Sequence, residues 1–220
     1  QQLKALEYGF RPADPSIPLT SPLNAEHGID ITQPQTILEV PSASVIEGIQ
    51  SLWHETKKPV DLIVVMDISG SMRGDKITSA RASLMQFIGK LDDRDRLRID
   101  LFNDQITTLT PLTPIGEKRQ QVLDSVSGIF EQNNTSLYDA TLHAYEDMQT
   151  EGDPSHIRAI VVLSDGDDTV SVATLDQVIA RITGSENEGG NAIKVFTIAF
   201  GEDADSGILK SIAEPSGGKQ

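Results

Sequence analysis

The sequence predicts a doubly wound α/β fold, a mostly parallel sheet with helices on both faces. Three observations carry that prediction. From Val60 onward, short apolar strands alternate with segments whose apolar residues recur at helical spacing. Two strands, Val60 to Met66 and Ile160 to Leu163, are nearly continuous apolar runs, as strands covered on both faces should be. Each leads into an aspartate, Asp67 in VVMDISGS and Asp165 in VVLSDGDD. Sites in such sheets lie beyond the carboxyl ends of the strands, where the winding reverses. If the two strands are neighbours, their carboxylates meet there.

Taken in order, residues 1–57 form an N-terminal extension distinct from the domain expected over 58–220. Pro12, Pro15, Pro18, Pro22, Pro34 and Pro41 are six of the chain's eleven prolines, and that density precludes continuous helix or sheet. Ser42 and Ser44 are candidate N-caps for one helix, with Val45, Ile46, Ile49, Leu52 and Trp53 on a single face and Trp53 as its packing anchor. The extension is therefore an irregular wrap followed by an amphipathic helix.

Within the domain, Ile77, Ala80, Leu84, Phe87, Ile88 and Leu91 mark a helix, and Leu97, Ile99 and Leu101 alternate as a strand. Ile106 to Pro111 is a short Thr-rich strand that suits an edge. Val122, Val126 and Ile129 mark a second helix, and Leu137, Ala140, Ala144 and Met148 a third. After the strand at Ile160 come a helix over Leu175 to Ile182, a buried strand over Ile193 to Phe200 and a last helix over Ser206 to Ala213.

Composition narrows the chemistry. The 220 residues suffice for a sizeable core, and a formal charge of −15, from 33 acidic and 18 basic residues, argues against nucleic acid as partner. There is no cysteine, which removes disulfides, thiolate catalysis and zinc–thiolate sites. The longest apolar runs fall far short of the roughly 20 residues of a membrane span. QQLKALEYGF shows no signal peptide and reads as the beginning of a fragment.

Asp67, Ser69, Ser71 and Asp165 supply carboxylates and hydroxyls at two strand ends, and Thr135, just before a helix in NNTSLYDA, is the candidate from a third loop. Hard oxygen donors without His or Cys suit Mg2+ or Mn2+, with Ca2+ also compatible. Alone, Asp67, Ser69 and Ser71 read equally well as a polar turn that caps a helix. Together with Thr135 and Asp165 they favour a metal site.

This set resembles the von Willebrand factor type A domain with its metal-ion-dependent adhesion site, whose pattern is Asp-x-Ser-x-Ser, then a distant Thr, then a distant Asp. The resemblance covers about residues 58–220 and includes LYDA after Thr135 and LSDGDDT around Asp165. It implies that the serine hydroxyls touch the ion, that the aspartates often act through water, and that an acidic side chain of a partner protein, or a water, takes the open position. Gly70 and Asn134 are assigned supporting positions around the ion. Asp139 is read either as such a support or as a surface residue of its helix.

Two departures from the family pattern stand out. Asn133 and Asn134 occupy positions where relatives carry Gly-Gly, and asparagine tolerates the left-handed backbone better than most residues. The sequence ends at SGGKQ, where the resemblance implies a further strand and a C-terminal helix, so the C-terminal element is read as truncated. A second, looser resemblance joins GFRPADPSIPL and VIEGIQSLWHETKKPVDLIVVMD to the junction in bacterial proteins where a solute-binding-like domain precedes a type A domain. It implies that residues 1–57 are the tail of an upstream domain or a linker, and that the chain is extracytoplasmic, in the periplasm or cell envelope.

Other motifs carry less. Asp167 and Asp168 are read as a solvated acidic loop. An EF-hand over Asp165 to Asp176 fails at Val170, where glycine is required. Gly217 to Lys219 is no Walker A loop, because Ala213 and Gln220 replace its first glycine and final hydroxyl residue. A glycan on the formal sequons at Asn133 and Asn134 would obstruct the site, so both are read as chance matches. His27, His54, His143 and His156 share no metal-ligand spacing and are read as ordinary histidines.

Three functions compete. The favoured one is a non-enzymatic, metal-dependent protein-binding module that engages an acidic residue of its partner. A metal-assisted phosphohydrolase with Asp67 as nucleophile is the enzymatic alternative, opposed by Ser69 where an acid–base Asp would be expected. The third is a scaffold for a solute-binding module, in which the metal only stabilises the fold.

Overall fold

The structure is a computed structural model that describes residues 2–12, 14, 16–32, 41–131, 134–184 and 192–220. Pro15, Pro34 and Asn133, each singled out above, lie outside the described residues. The chain divides into two units, Gln1–Lys57 and Lys58–Gln220.

The first unit contains helix α1 (Gln2–Glu7), a 3-10 turn at Ala25–His27 and helix α2 (Ala43–Thr56). Helix α1 was not expected from the sequence. Helix α2 follows Ser42, but the Ser42 hydroxyl caps no backbone N–H and instead lies 3.0 Å from that of Ser44. Within this unit Trp53 does not anchor packing. Trp53 is 70% exposed, and Val45, Ile46, Ile49 and Leu52 on the same helix are exposed as well. Helical periodicity places these residues on one face, but a stripe becomes a core only when another element covers it.

Among the described residues, the second unit forms one five-stranded sheet. Its strands are β1 (Val60–Asp67), β2 (Arg96–Phe102), β3 (Ile106–Pro114), β4 (Ile157–Ser164) and β5 (Lys194–Ala199), in spatial order β3-β2-β1-β4-β5. All pairings are parallel except β2 with β3, which sets the Thr-rich β3 antiparallel at an edge. Helices α3 (Asp75–Ile88), α4 (Arg119–Ser127), α5 (Leu137–Glu151), α6 (Leu175–Gly184) and α7 (Ser206–Ala213) complete the unit. Leu91 and Ile129 lie just past the ends of α3 and α4, which stop before Gly89 and Gly128. Glycine lowers helix propensity by roughly 1 kcal/mol, enough to end a short helix there.

Alternation along β1 builds two cores. Leu62, Val64 and Met66 face a layer with Ile77, Leu84 and Val122, whereas Ile63 and Val65 face one with Leu137, Tyr145 and Val178. The continuous apolar run is therefore the sum of two alternating patterns, one per face. Because β2 and β4 both pair with β1, the winding reverses at β1, and Asp67 ends that strand beside β4.

The opposite end of the sheet carries a buried ion pair. Asp61, fully buried in β1, accepts two hydrogen bonds of 2.9 Å from the Arg96 guanidinium and one of 2.7 Å from the Asp153 backbone N–H. His156 Nδ1 lies 2.7 Å from Asp61 Oδ1. Among the described residues no helix is long and apolar enough to cross a membrane.

Candidate metal centre

Three loops at the carboxyl ends of β1 and β4 and before α5 build the site. Asp67 ends β1 and is fully buried, and its Oδ1 accepts the backbone N–H of Ser69 at 2.8 Å. That bond closes a tight turn into the 3-10 segment Gly70–Met72, which sets the Ser69 and Ser71 hydroxyls 2.8 Å apart. Ser69 is buried and Ser71 is exposed.

Asp165, one residue beyond β4 and 3% exposed, accepts the Ser71 hydroxyl on Oδ1 at 3.3 Å. The turn that follows needs glycine. Gly166 has φ +89, and a Cβ there would stand 2.8 Å from the Asp205 carbonyl oxygen. The Asp165 carbonyl in turn accepts the Asp205 N–H at 2.8 Å, which fixes this loop against the start of α7.

Thr135 arrives through a third set of bonds. The Ser136 hydroxyl donates to the Asn103 carbonyl at 2.7 Å, and the Thr135 N–H donates to Thr169 Oγ1 at 3.0 Å. The Thr135 carbonyl accepts the Thr169 and Val170 N–H groups at 2.9 and 3.1 Å. Thr135 is thus stitched to the loop that begins at Asp165. Among the described residues, its hydroxyl has no hydrogen-bond partner.

Asn134 adopts φ +60, so asparagine supplies the left-handed residue of this loop. Asp139 hydrogen-bonds to none of the five candidate ligands. Its oxygens accept the Val172 and Ala173 N–H groups at 2.9 and 2.8 Å, and they hold the loop after β4 to α5. Gly70 contributes backbone to the 3-10 segment, where its carbonyl accepts the Arg73 N–H at 3.3 Å. Asp167 is exposed as expected, but Asp168 is not simply solvated. It accepts the Ser171 hydroxyl at 2.5 Å and the Tyr138 N–H at 3.4 Å, at the first turn of α5, where negative charge is favoured.

Two contributors escaped the sequence reading. Ser164, the last residue of β4, donates its hydroxyl to Asp67 Oδ2 at 2.6 Å and accepts the Gly166 N–H at 3.0 Å. Lys76, in the first turn of α3, places Nζ 3.0 Å from Asp165 Oδ2 and 2.9 Å from Asp203 Oδ1. A serine that closes an apolar strand and a lysine near a helix start are commonplace, and no spacing rule distinguishes these two.

The electrostatics follow from burial. Loss of hydration pushes the Asp67 carboxyl up from 3.8 to about 6, against the hydrogen bonds from Ser164 and Ser69 that favour its charge, with the nearby Asp165 carboxylate adding to the rise. Burial alone would lower the Lys76 ammonium, but its hydrogen bonds to Asp203 and Asp165 outweigh that effect and raise it. Among the described residues, no group of three or more His, Cys, Asp or Glu side chains is placed to hold a metal ion. Any cation at this site would depend on hydroxyl donors beside its two carboxylates. An all-oxygen set of that kind fits a hard divalent cation.

Residues 61–219 match the family model of the von Willebrand factor type A domain. The inter-alpha-trypsin inhibitor heavy chain H4 of Bos taurus is 30% identical over 170 residues, 73% of this chain and 18% of that protein. The chain therefore spans under a fifth of the length of that relative. Among solved structures, the manganese-loaded TRAP protein of Plasmodium vivax superposes with TM-score 0.59 at 19% identity, covering 70% of this chain and 62% of that one. Proximal thread matrix protein 1 from the mussel byssus, solved with a zinc-occupied MIDAS motif, gives TM-score 0.61 at 14% identity, covering 74% and 43%. At these identities the two structures speak to the fold.

Proposed function

This chain belongs to the von Willebrand factor type A domain family, and we propose that it is a metal-dependent protein-binding module. In this reading Asp67, Ser69, Ser71, Thr135 and Asp165 hold one divalent cation, Mg2+ in the first instance, with Mn2+ or Ca2+ as substitutes. When bound, the cation supplies an open coordination position that accepts a carboxylate from a partner protein. The residues of this chain orient the donors and keep water from the buried side.

The observation that carries the reading is the convergence of Asp67 and Asp165, both buried, with the Ser69 and Ser71 hydroxyls in one hydrogen-bonded cluster. Burying two carboxylates side by side is unfavourable; the Lys76 ammonium at 3.0 Å offsets Asp165, and a divalent ion between the two would offset Asp67 as well. The manganese and zinc in two proteins of the same fold support a divalent ion.

We propose that the module is not an enzyme. Asp67 is fully buried, with Oδ1 engaged by Ser69 and Oδ2 by Ser164, which disfavours a nucleophilic role. We further propose that residues 1–57 are a linker or the tail of an upstream module ahead of a domain at 58–220. The test is capture of a carboxylate-bearing partner on immobilised protein in Mg2+, then in chelator, then with Asp67→Ala. Binding that survives both chelation and the substitution would contradict the reading.

A further inference from the structure

Lys76 is not among the five ligands proposed for the ion, yet it contacts one of them. Its ammonium sits 3.0 Å from Oδ2 of Asp165, while Ser71 takes Oδ1 of the same carboxylate at 3.3 Å. One of the two oxygens offered by Asp165 is therefore already paired with a tethered positive charge. The lysine stem is only 17% exposed and packs on Gly201, where a Cβ would collide with Lys76 Cε. Gly201 has φ +99, a conformation that itself favours glycine, so the β5–α7 connection leaves room for this side chain.

The other partner of Lys76 is Asp203, on the same connection. Asp203 lies 2.9 Å from Nζ, and its side chain is 75% exposed. The ammonium thus bridges one buried carboxylate that belongs to the site and one solvated carboxylate that does not.

A divalent ion brought to Asp165 would meet that ammonium at close range, and like charges on one carboxylate repel. We infer that Lys76 is a tethered cation that competes with the divalent ion for Asp165, with Asp203 as the seat it keeps when the ion binds. The inference rests on the proposed metal site. It assigns Lys76 and Asp203 the role of setting ion affinity, although neither is a ligand. In the ion-free protein the ammonium compensates Asp165. Ion entry then requires Lys76 to yield Oδ2, which ties occupancy to the β5–α7 connection.

The experiment is Mg2+ and Mn2+ titration by calorimetry on the whole chain as wild type, Lys76→Met, Asp203→Asn and the double variant, with melting temperatures as folding controls. Methionine keeps the apolar stem on Gly201, and Lys76→Gln serves as a second neutral variant if it misfolds. The expected result is a Kd about tenfold lower for Lys76→Met, severalfold higher for Asp203→Asn, and equal to Lys76→Met in the double variant. The last equality isolates the competition, because Asp203 then acts only through the ammonium.

An unchanged or weakened affinity in both neutral variants, with the wild type binding normally, overturns the competition and leaves the metal site standing. Ion binding that appears only in the neutral variants upholds it in its strongest form. If no form of the chain binds either ion, the inference and the metal reading fall together.

Discussion

Ser164 donates its hydroxyl to Asp67 Oδ2 at 2.6 Å across the β1–β4 pair, and the Gly166 N–H donates back to that hydroxyl at 3.0 Å. A single buried side chain therefore orients the carboxylate of one strand and closes the turn that carries Asp165 from the next. Replacing Ser164 with Ala should cost about 1–3 kcal/mol in urea denaturation, because it leaves a buried N–H and a carboxylate oxygen unmatched. It should also weaken ion binding without altering stoichiometry. A variant as stable as wild type would deny Ser164 this role.

The raised Asp67 carboxyl gives stability a definite pH dependence. Unfolded, Asp67 loses its proton near 3.8, whereas in the fold it holds it to about 6. Between those values the native state binds more protons, so the stability from this group is fully present below about pH 4 and is lost as pH rises through about 6. The gap amounts to about 3 kcal/mol. In chelator at pH 7.5, Asp67→Asn should therefore melt at or above the wild-type temperature while binding no ion, and the difference should shrink toward pH 4. Ion affinity should fall about tenfold per pH unit below about 6, where the ion must displace a proton.

Asn134 provides the next test, since it holds φ +60 one residue before Thr135. Asn134→Gly should be close to neutral in stability and ion affinity. Asn134→Val should destabilise by roughly 1–2 kcal/mol and weaken ion binding, because a β-branched side chain resists that conformation. Equal behaviour of the two variants would show that the loop does not depend on its left-handed residue.

The Asp61–Arg96 pair serves as a control at the far end of the sheet. Arg96→Ala removes the guanidinium from a fully buried carboxylate that keeps the Asp153 N–H and His156, and should cost about 1–3 kcal/mol. Mg2+ affinity measured on the surviving folded fraction should stay within twofold of wild type. A large change would mean that the two ends of the sheet are coupled.

Much of this architecture could be read from residues alone, for reasons that differ by element. Strands β1 and β4 were legible because both of their faces carry apolar residues, which leaves unbroken apolar runs. Asp67 and Asp165 stood out because a carboxylate at the end of such a run is costly. What escaped depends on long-range placement. Lys76 meets Asp165 and Asp203 from 89 and 127 residues away. Asp61 lies near the start of an apolar strand, and its partner Arg96 is 35 residues distant. Helix α2 shows the converse, because its apolar stripe was correctly placed by periodicity, yet periodicity does not say what covers a stripe.

The most direct test of the central claim is Mg2+ and Mn2+ calorimetry on the purified chain beside Asp67→Ala at neutral pH. The account predicts one ion per chain in the wild type and none in the variant. Binding that persists unchanged in Asp67→Ala would place the ion elsewhere and contradict it.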